Sequence, residues 1–302
     1  FAPLEAVKGA AGYLTTSGAD IHLTFIGDEA KIKEQLANYQ IPADKFNIVH
    51  TTQVIEMNEH PTKALKEKPQ SSIAIGFQLL ATGKTDAFIS AGNTGAMMVG
   101  SLFSIKAIDG VLRPAIGAYM PREDGSLGLL VDVGLNADCK PENLNQFATL
   151  GSLYAQHILN FENPRVGLIN LGEEEGKGNL LTQATYPLLK ENKLINFIGN
   201  IEGRDILTTR ADVFVCNGFT GNVVLKLAES IYDISGRRGI NDEYFNRFNF
   251  EQYGGVPVLG VSKPVIIGHG ISHALAFTNM IGIAHRMIQT NLLGKMQESF
   301  VG

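Results

Sequence analysis

The chain has few cysteines, little charge and no long apolar run. Its 302 residues contain two cysteines, too few for a disulfide framework, and Cys216 lies in a short apolar run, as a small buried hydrophobic residue would. No stretch approaches the roughly 18 uninterrupted apolar residues that a membrane span needs. This composition predicts a protein of the reducing cytoplasm.

Several ligand-binding motifs are also missing. The sequence has no Walker loop and no Gly-x-Gly-x-x-Gly fingerprint followed by a suitable helix, which disfavours a nucleotide cofactor. It has no His-Glu-x-x-His motif and no Cys-x-x-Cys pair, which disfavours a required metal, and no Gly-x-Ser-x-Gly elbow of a serine hydrolase. The net charge of -5 disfavours nucleic acid as a partner. The sequence therefore predicts no cofactor, no metal and no nucleic-acid ligand.

What the chain does contain is an alternation of strand and helix patterns. Apolar residues make up 44 % of the chain, enough for a large core. Apolar residues recur at helical spacing over 144–154 and 224–234. Short apolar runs next to Gly or Asn predict strands at 21–26, 46–50, 87–90, 115–120, 127–132, 166–170, 195–198, 213–216 and 265–267. This alternation predicts one α/β domain over 1–302, with a mostly parallel sheet and helices on both faces.

Six strand-like runs end in turns of one kind, rich in Gly, Asn, Ser, Thr and charged residues. These turns lie at 90–95, 132–138, 170–173, 200–205, 217–222 and 268–272. In a parallel sheet all strand C-termini lie on one edge, so the turns are predicted to converge on one crevice. Their backbone N–H groups and neutral side chains suit an oxyanion or a phosphate.

The first two of these turns offer neutral and charged candidates. At 90–95, free N–H groups at the start of a helix attract anions; the alternative is a capped helix with Asn93 or Thr94 as its N-cap. In the turn after 127–132, two carboxylates, an amide and a lysine lie close in sequence, and we take Asp132, Asn136 and Lys140 as candidates for the pocket.

Charged residues follow the next two predicted strands. Glu173 and Lys177 come after one of them, and Glu202, Arg204 and Asp205 come after the other. One interpretation places them in the pocket as substrate-binding groups. The other makes them ion pairs that hold the loops together, which is the usual role of surface charge.

His269 is the histidine with the strongest signal. It lies between Gly268 and Gly270 directly after a buried run, which predicts an accessible ring on a sharply turning backbone. His273 lies one helical turn further along and is predicted on a helix surface.

The segment 236–253 breaks the alternation. It begins with Gly-Arg-Arg-Gly and continues as a polar and aromatic stretch. One interpretation is an ordinary solvated loop. The other is that a mobile segment is missing from the sequence at about Gly236, and composition does not decide between them.

Eight short motifs, some of which overlap the turns described above, follow one another along nearly the whole chain. They are Ser-Ala-Gly-Asn-Thr-Gly-Ala at 90–96, Arg-Pro-Ala at 113–115, Asp-Val-Gly at 132–134 with Asn136 and Asp138, Asn170 with Gly-Glu-Glu at 172–174 and Lys-Gly at 177–178, Asn-Ile-Glu-Gly-Arg-Asp at 200–205, Gly-Phe-Thr-Gly-Asn at 218–222, Tyr-Gly-Gly at 253–255 and Gly-His-Gly at 268–270. Together these motifs resemble the bacterial phosphate acyltransferases of the PlsX family.

The resemblance implies an enzyme that transfers a long-chain fatty acyl group from acyl carrier protein to inorganic phosphate, giving acyl phosphate for phospholipid synthesis. It implies a fold like those of isopropylmalate dehydrogenase and phosphate acetyltransferase. It also implies a cytoplasmic homodimer with peripheral membrane contact and a downstream membrane acyltransferase as a partner.

The sequence departs from the family pattern in several places, including Leu135 and His273, which replace commoner small or polar residues. The family usually begins with a strand and an Asp-Ala-Met-Gly-Gly-Asp turn, and this chain starts just after that turn, so we expect a missing N-terminal strand. Asn217 stands where the family commonly has Asp, which puts a carboxylate role there in doubt. Between Gly236 and Ile240 the family carries a longer helical protrusion, which favours the interpretation of a missing segment.

The implied chemistry asks for positioning more than for proton transfer. Phosphate is already an anionic nucleophile, and a thiol leaving group with a pKa of about 8.5 departs readily. The predicted catalytic residues, including donors to the tetrahedral oxyanion, are Asn93, Asn170, Asn200 and His269. The predicted substrate-binding residues are Ser90, Thr94, Asp132, Asn136, Lys140, Glu173, Lys177, Glu202, Arg204, Asp205, Asn217, Thr220, Asn222 and Ser272.

Two other hypotheses about the function remain. A non-catalytic scaffold that binds the acyl carrier would keep the fold but tolerate loss of the polar pocket groups. A nicotinamide-dependent dehydrogenase on the same fold would need a dinucleotide site.

For the acidic carrier protein, Lys63, Lys66 and Lys68 are a candidate dock, the alternative being a solvated helix face.

Overall fold

The computed structural model describes residues 2–39 and 41–300. Its strands are β1 (Leu23–Gly27), β2 (Phe46–His50), β3 (Phe88–Ser90), β4 (Ala115–Pro121), β5 (Leu127–Val131), β6 (Arg165–Ile169), β7 (Asn196–Ile201), β8 (Val213–Val215), β9 (Gly255–Leu259) and β10 (Val265–Gly268). Its helices are α1 (Leu4–Ser17), α2 (Glu29–Asn38), α3 (Pro61–Glu67), α4 (Ser72–Ala81), α5 (Thr94–Gly100), α6 (Pro141–Ile158), α7 (Leu180–Glu191), α8 (Gly218–Arg237), α9 (Glu243–Asn246), α10 (Ala274–Gln289) and α11 (Leu292–Phe300). Over this part of the chain, no helix combines the length and the apolar character that crossing a membrane requires.

The described residues divide into two compact units. The first contains the residues up to Lys106 together with Phe250–Gly255 and Val261–Ile288. The second contains Ala107–Asn249, Val256–Gly260 and the residues from Gln289 onward. The prediction of one domain over 1–302, with a segment missing near 236–240 and a strand missing at the start, stays a prediction.

In the first unit, parallel strand pairs lie against helices. β1 pairs with β2, and β3 pairs with β10 so that Ser90 is opposite Ile267. Phe77 of α4 is buried, meets the Phe88 ring edge to face at 5.1 Å, and lies against the helix backbone at Gly100. Because β3 and β10 run parallel in register, the turns that follow them leave the sheet side by side.

In the second unit, the strand order is β9, β4, β5, β8, β6, β7. β4 is antiparallel to β5 and β9, whereas β5, β8, β6 and β7 run parallel to one another. Helix α6 packs so closely on this sheet that a Cβ on Gly151 would lie 2.8 Å from Val213. Because β5, β8, β6 and β7 all run in the same direction, their carboxyl ends share one edge of the sheet.

The predicted α/β class with a mostly parallel sheet flanked by helices is confirmed. The two helical patterns at 144–154 and 224–234 lie in α6 and α8, and the nine predicted strands lie within a few residues of their observed bounds. The strand β9 was not predicted, because Pro257 lacks an N–H and argues against a strand. In the structure Pro257 precedes the residues of β9 that pair with β4.

Two details of the prediction need correction. Strand β7 extends to Ile201, so Asn200 lies within a strand rather than in the turn after it. The segment 236–253 is not one continuous loop: α8 extends to Arg237, and α9 and a 3-10 turn at Phe250–Gln252 follow.

Candidate functional site

Three loops meet at the carboxyl edge of β3 and β10 in the first unit. The loop after β3 lies against the loop after β10, since a Cβ on Gly268 would be 3.0 Å from the Cβ of Ala91. The loop after β2 reaches the same place, because the methyl group of Met57 lies over Gly270. The predicted residues Ser90, Asn93, Thr94, His269 and Ser272 all belong to these loops or border them.

Asn93 is the structural centre of this cluster. Its Oδ1 accepts a hydrogen bond from the N–H of Ala96 and so caps helix α5, as the capping alternative predicted. Its Nδ2 lies 2.9 Å from the carbonyl oxygen of Glu56, 3.3 Å from that of Met57 and 3.1 Å from that of Glu59. Only 4 % of Asn93 is exposed. The amide therefore fixes the loop after β2, and its polar atoms are engaged within the protein.

Ser90 and Thr94 frame the turn around Asn93. The Ser90 hydroxyl oxygen accepts a hydrogen bond from the N–H of Gly92 at 3.1 Å, which tightens the turn. Thr94 is exposed at the first position of α5. Both hydroxyl groups can still donate to an anion.

His269 is exposed, as predicted, and its ring lies against the ring of Phe250 at 5.0 Å. Its Nδ1 is 3.4 Å from the N–H of Ile271. As Nδ1 accepts that hydrogen bond, Nε2 is the protonated nitrogen and a donor. His273 is exposed as well, and its ring contacts the Glu251 carboxylate at 2.7 Å.

Ser272 differs from its neighbours because its hydroxyl group is buried. Only 2 % of the residue is exposed, and within the described chain its oxygen has no hydrogen-bond partner. Its backbone N–H donates to the carbonyl of His269, which closes the turn after β10.

In the second unit, Asp132 is fully buried directly after β5. Its carboxylate accepts hydrogen bonds from the backbone N–H groups of Ile116, Leu135 and Asn136 and from the Asn136 side chain. Burial raises the pKa of this carboxyl, and the hydrogen bonds oppose that rise. Asn136 also donates to the carbonyl of Pro114. Asp132 and Asn136 thus hold the loop after β5 in shape.

The motif that opens α8 packs directly on that loop. Asn217 caps the helix by accepting the N–H of Thr220, and the side chain of Asn222 donates to the carbonyl of Val133 at 3.2 Å. A Cβ on Gly221 would lie 1.8 Å from the carbonyl oxygen of Asp132. The amide of Asn217 is sufficient for the cap that it makes here.

The loops after β6 and β7 form a second cluster in this unit. Asn170 donates from its side chain to the carbonyl of Lys177, and Asn200 donates to the carbonyl of Glu174 at 2.9 Å. Asn200 is buried, and its Oδ1 has no hydrogen-bond partner within the described residues. Both amide groups shape the loop 170–178.

Most of the charged candidates form ion pairs. Arg210 contacts Glu173 and also lies 3.5 Å from Asp205, and Arg204 pairs with Glu202 at 2.8 Å. These contacts agree with the alternative that the charged residues form ion pairs that hold the loops together. Lys140 and Lys177 are exposed.

Sequence reasoning missed the loop after β2 and Arg210. The loop follows a correctly predicted strand, so its position was the available signal, but it lacks the glycines that marked the six turns. Arg210 has no recognisable motif around it. The prediction that all six turns share one crevice stays a prediction.

The surroundings of the two thiols disfavour their ionised form. Burial, with the nearby Asp132 carboxylate, raises the pKa of Cys139 to about 11, and burial raises the pKa of Cys216 well above its usual value. Within residues 2–39 and 41–300, no group of three or more His, Cys, Asp or Glu side chains is arranged to hold a metal ion.

Three solved structures show the fold. A phosphotransacetylase from Streptococcus pyogenes superposes with a TM-score of 0.68 at 17 % identity, covering 95 % of this chain and 91 % of that one. The EutD phosphotransacetylase from Staphylococcus aureus gives a TM-score of 0.63, covering 95 % and 92 %. A 4-hydroxythreonine-4-phosphate dehydrogenase from Salmonella typhimurium gives 0.55 at 11 % identity, covering 93 % and 95 %.

Sequence relatives extend over nearly the whole chain. A protein named phosphate acyltransferase from Halothermothrix orenii is 43 % identical and covers 98 % of this chain and 94 % of its own. Another of that name from Chlorobaculum tepidum is 45 % identical and covers 95 % of both. The family model described as "Fatty acid synthesis protein" matches residues 1–237 and 240–295. The chain therefore belongs to this family, that of the phosphate acyltransferase enzymes.

Proposed function

We propose that this chain transfers a long-chain acyl group from acyl carrier protein to inorganic phosphate and releases acyl phosphate. The observation that carries the proposal is the similarity, over nearly the whole chain, to relatives named phosphate acyltransferase. The loops rich in hydroxyl and N–H groups at the edge of β3 and β10 are consistent with binding of an anion.

In the proposed reaction, a phosphate oxygen attacks the thioester carbonyl carbon. The carbonyl π electrons move onto oxygen, and the tetrahedral intermediate collapses as the C–S bond breaks and thiolate leaves. Because phosphate is already an anion at neutral pH and a thiol with a pKa of about 8.5 leaves readily as thiolate, the protein has to supply orientation and oxyanion stabilisation rather than a covalent intermediate.

We assign phosphate binding to the hydroxyl groups of Ser90 and Thr94 with nearby backbone N–H groups. Among the four predicted catalytic residues, His269 is the best candidate for the oxyanion donor. The side chains of Asn93, Asn170 and Asn200 donate to backbone carbonyls of the protein, whereas the His269 ring is exposed with Nε2 as a donor. Lys140, Lys177 and Arg204 stay predictions for substrate charge neutralisation.

We also propose the homodimer and the peripheral membrane contact. An exposed apolar stripe on α8 supports both proposals, because either a second subunit or a membrane surface could cover it. Its residues Phe219, Val223 and Leu227 recur every four residues and are each more than half exposed. The family match stops at residue 237 and resumes at 240, which supports the hypothesis of a missing segment at the end of this helix. A downstream membrane acyltransferase remains the expected consumer of the acyl phosphate.

The test is release of free thiol from palmitoyl acyl carrier protein as a function of phosphate concentration. Release that saturates with phosphate supports the transferase. Binding of the acyl carrier without any release would instead support the scaffold hypothesis. Tight, saturable binding of nicotinamide cofactor would revive the dehydrogenase.

A further inference from the structure

The loop after β2 carries two exposed apolar side chains on a fixed backbone. Val54 is 52 % exposed and Met57 is 57 % exposed. The Nζ of Lys68 donates to the carbonyl of Val54 at 2.7 Å and to the Glu59 carboxylate at 2.6 Å. That carboxylate also accepts the N–H of Glu56 at 2.6 Å. The segment 54–59 is therefore held at both ends.

Asn93 holds the middle of the same segment. Its side-chain amide lies within hydrogen-bond distance of the carbonyls of Glu56, Met57 and Glu59. A buried amide whose two N–H groups are shared among three backbone carbonyls is costly to replace, because its removal leaves those carbonyls without that donor. Asn93 thus couples the position of Met57 to the turn that starts α5.

Met57 ends above the turn that follows β10. Its Cε is 2.7 Å, and its Sδ 3.7 Å, from the position that a Cβ on Gly270 would take. The neighbouring Ile271 is 53 % exposed. Apolar surface is therefore presented beside the turn that carries His269, and Asn93 joins the backbone of Met57 to the turn that carries Ser90 and Thr94.

We propose that Met57 contacts the alkyl chain of the acyl substrate, and that Asn93 is a positioning residue that sets where Met57 lies. This inference rests on the proposed function, since an acyl phosphate synthase must hold an apolar chain next to a phosphate site. An unbranched, polarisable thioether adapts well to a flexible alkyl chain. Burial of its exposed surface by the chain supplies the binding free energy.

The experiment compares palmitoyl and butyryl thioesters of acyl carrier protein as substrates. Met57→Ala lowers kcat/KM for the palmitoyl substrate about tenfold and changes that for the butyryl substrate little. Met57→Leu retains the preference of the wild type. Leu112→Ala, which truncates another exposed apolar side chain, is the matched control and changes neither value.

Asn93→Ser separates positioning from direct contact with phosphate. Serine keeps an oxygen that caps α5 but loses the amide donors. A positioning role predicts the same loss of chain-length preference as in Met57→Ala, in protein whose thermal unfolding stays cooperative. A raised KM for phosphate with the chain-length preference intact would overturn that role.

Gly270→Ala provides a second route to the same result, because the added methyl group displaces the end of the Met57 side chain. It too lowers palmitoyl turnover more than butyryl turnover. If the wild type releases no thiol from either substrate, the proposed function fails, and this inference with it. If the wild type is active but Met57→Ala affects both substrates equally or neither, only the inference fails.

Discussion

Gly221 lies against the main chain of Asp132. The position of a Cβ on Gly221 is 1.8 Å from the carbonyl oxygen of Asp132, well inside van der Waals contact. This approach joins the first turn of α8 to the loop after β5. Two motifs that are almost ninety residues apart in sequence therefore form one rigid corner of the second unit.

Gly221→Ala is expected to destabilise the protein by about 3 kcal/mol, because backbone rather than a flexible side chain blocks the methyl group. Gly236→Ala is the matched control in the same helix. Nothing lies within 4 Å of its added Cβ, and alanine is the better helix former by about 0.5–1 kcal/mol. Chemical denaturation of both variants measures the difference. Equal stability of the two variants would contradict the assigned contact.

Asp212 is buried and pairs with the buried Arg122 and with the partly exposed Arg165. Its two oxygens receive hydrogen bonds from Arg122 at 2.7 Å and from Arg165 at 2.9 and 3.0 Å. Burial alone raises the pKa of Asp212, but the hydrogen bonds from Arg165 and Arg122 outweigh it and hold the pKa below its usual value of 3.8. The charged carboxylate therefore stabilises the fold.

Asp212→Asn is expected to cost about 3 kcal/mol at neutral pH, since it leaves buried Arg122 without its anionic partner. The folded-state pKa is lowered, so the stabilisation is complete above the unfolded-state pKa and is lost as the pH falls through the folded-state pKa. In Asp212→Asn, the free energy of unfolding therefore lacks the decrease at low pH that protonation of Asp212 causes in the wild type. Unfolding measured from pH 7 to pH 3 tests it.

Asp20→Asn is the control for that experiment. Asp20 also pairs with a cation, Lys45, but its side chain is 96 % exposed. Solvent screening makes such a pair contribute little. A loss of stability at neutral pH as large as that of Asp212→Asn would contradict the importance given to burial.

His269→Ala is expected to lower kcat by about a hundredfold or more, the usual effect of removing an oxyanion donor. The matched control is His273→Ala, on the same segment, which leaves turnover close to that of the wild type. Thermal unfolding of both variants checks that they fold. Near-normal turnover of His269→Ala would remove the histidine from the mechanism.

Lys66→Glu tests the predicted dock for the acidic carrier protein. Lys68 is held by Glu59 and Lys63 lies near Glu67, whereas Lys66 is exposed on α3. Reversing this charge is expected to raise the KM for acyl carrier protein several-fold at low salt, an effect that fades as salt screens the attraction. Lys193→Glu, an exposed lysine of the second unit, is the control. An unchanged KM would place the dock elsewhere.

Helices and strands with a clear local pattern of apolar residues could be predicted from the sequence. The spacing of Leu144 and Phe147 predicted α6, and the apolar runs predicted nine strands, because local pattern decides both. Strand β9 was missed because the pairing of Val258 and Leu259 with β4 is a long-range contact, which outweighs the local signal of Pro257.

Several turns were predictable from the sequence, but the hydrogen-bond partners of their side chains were not. The turn after β5 was located correctly, whereas Asn200 lies within β7 and most of the turn predicted at 217–222 is the start of α8. The side chains of Asn93, Asp132 and Asn222 direct their polar atoms at backbone groups far away in sequence. A motif shows that a polar side chain is present, but not which atom it faces. No motif marks Met57, because its contact with Gly270 is set by the fold and not by the local sequence.

Phosphorus NMR of the reaction of palmitoyl acyl carrier protein with inorganic phosphate tests most directly whether phosphate is the acyl acceptor. We expect a new acyl phosphate signal that grows in step with free thiol and reacts with hydroxylamine. Thiol release with no acyl phosphate at any time, in the absence of hydroxylamine, would contradict this expectation and would make water the acceptor.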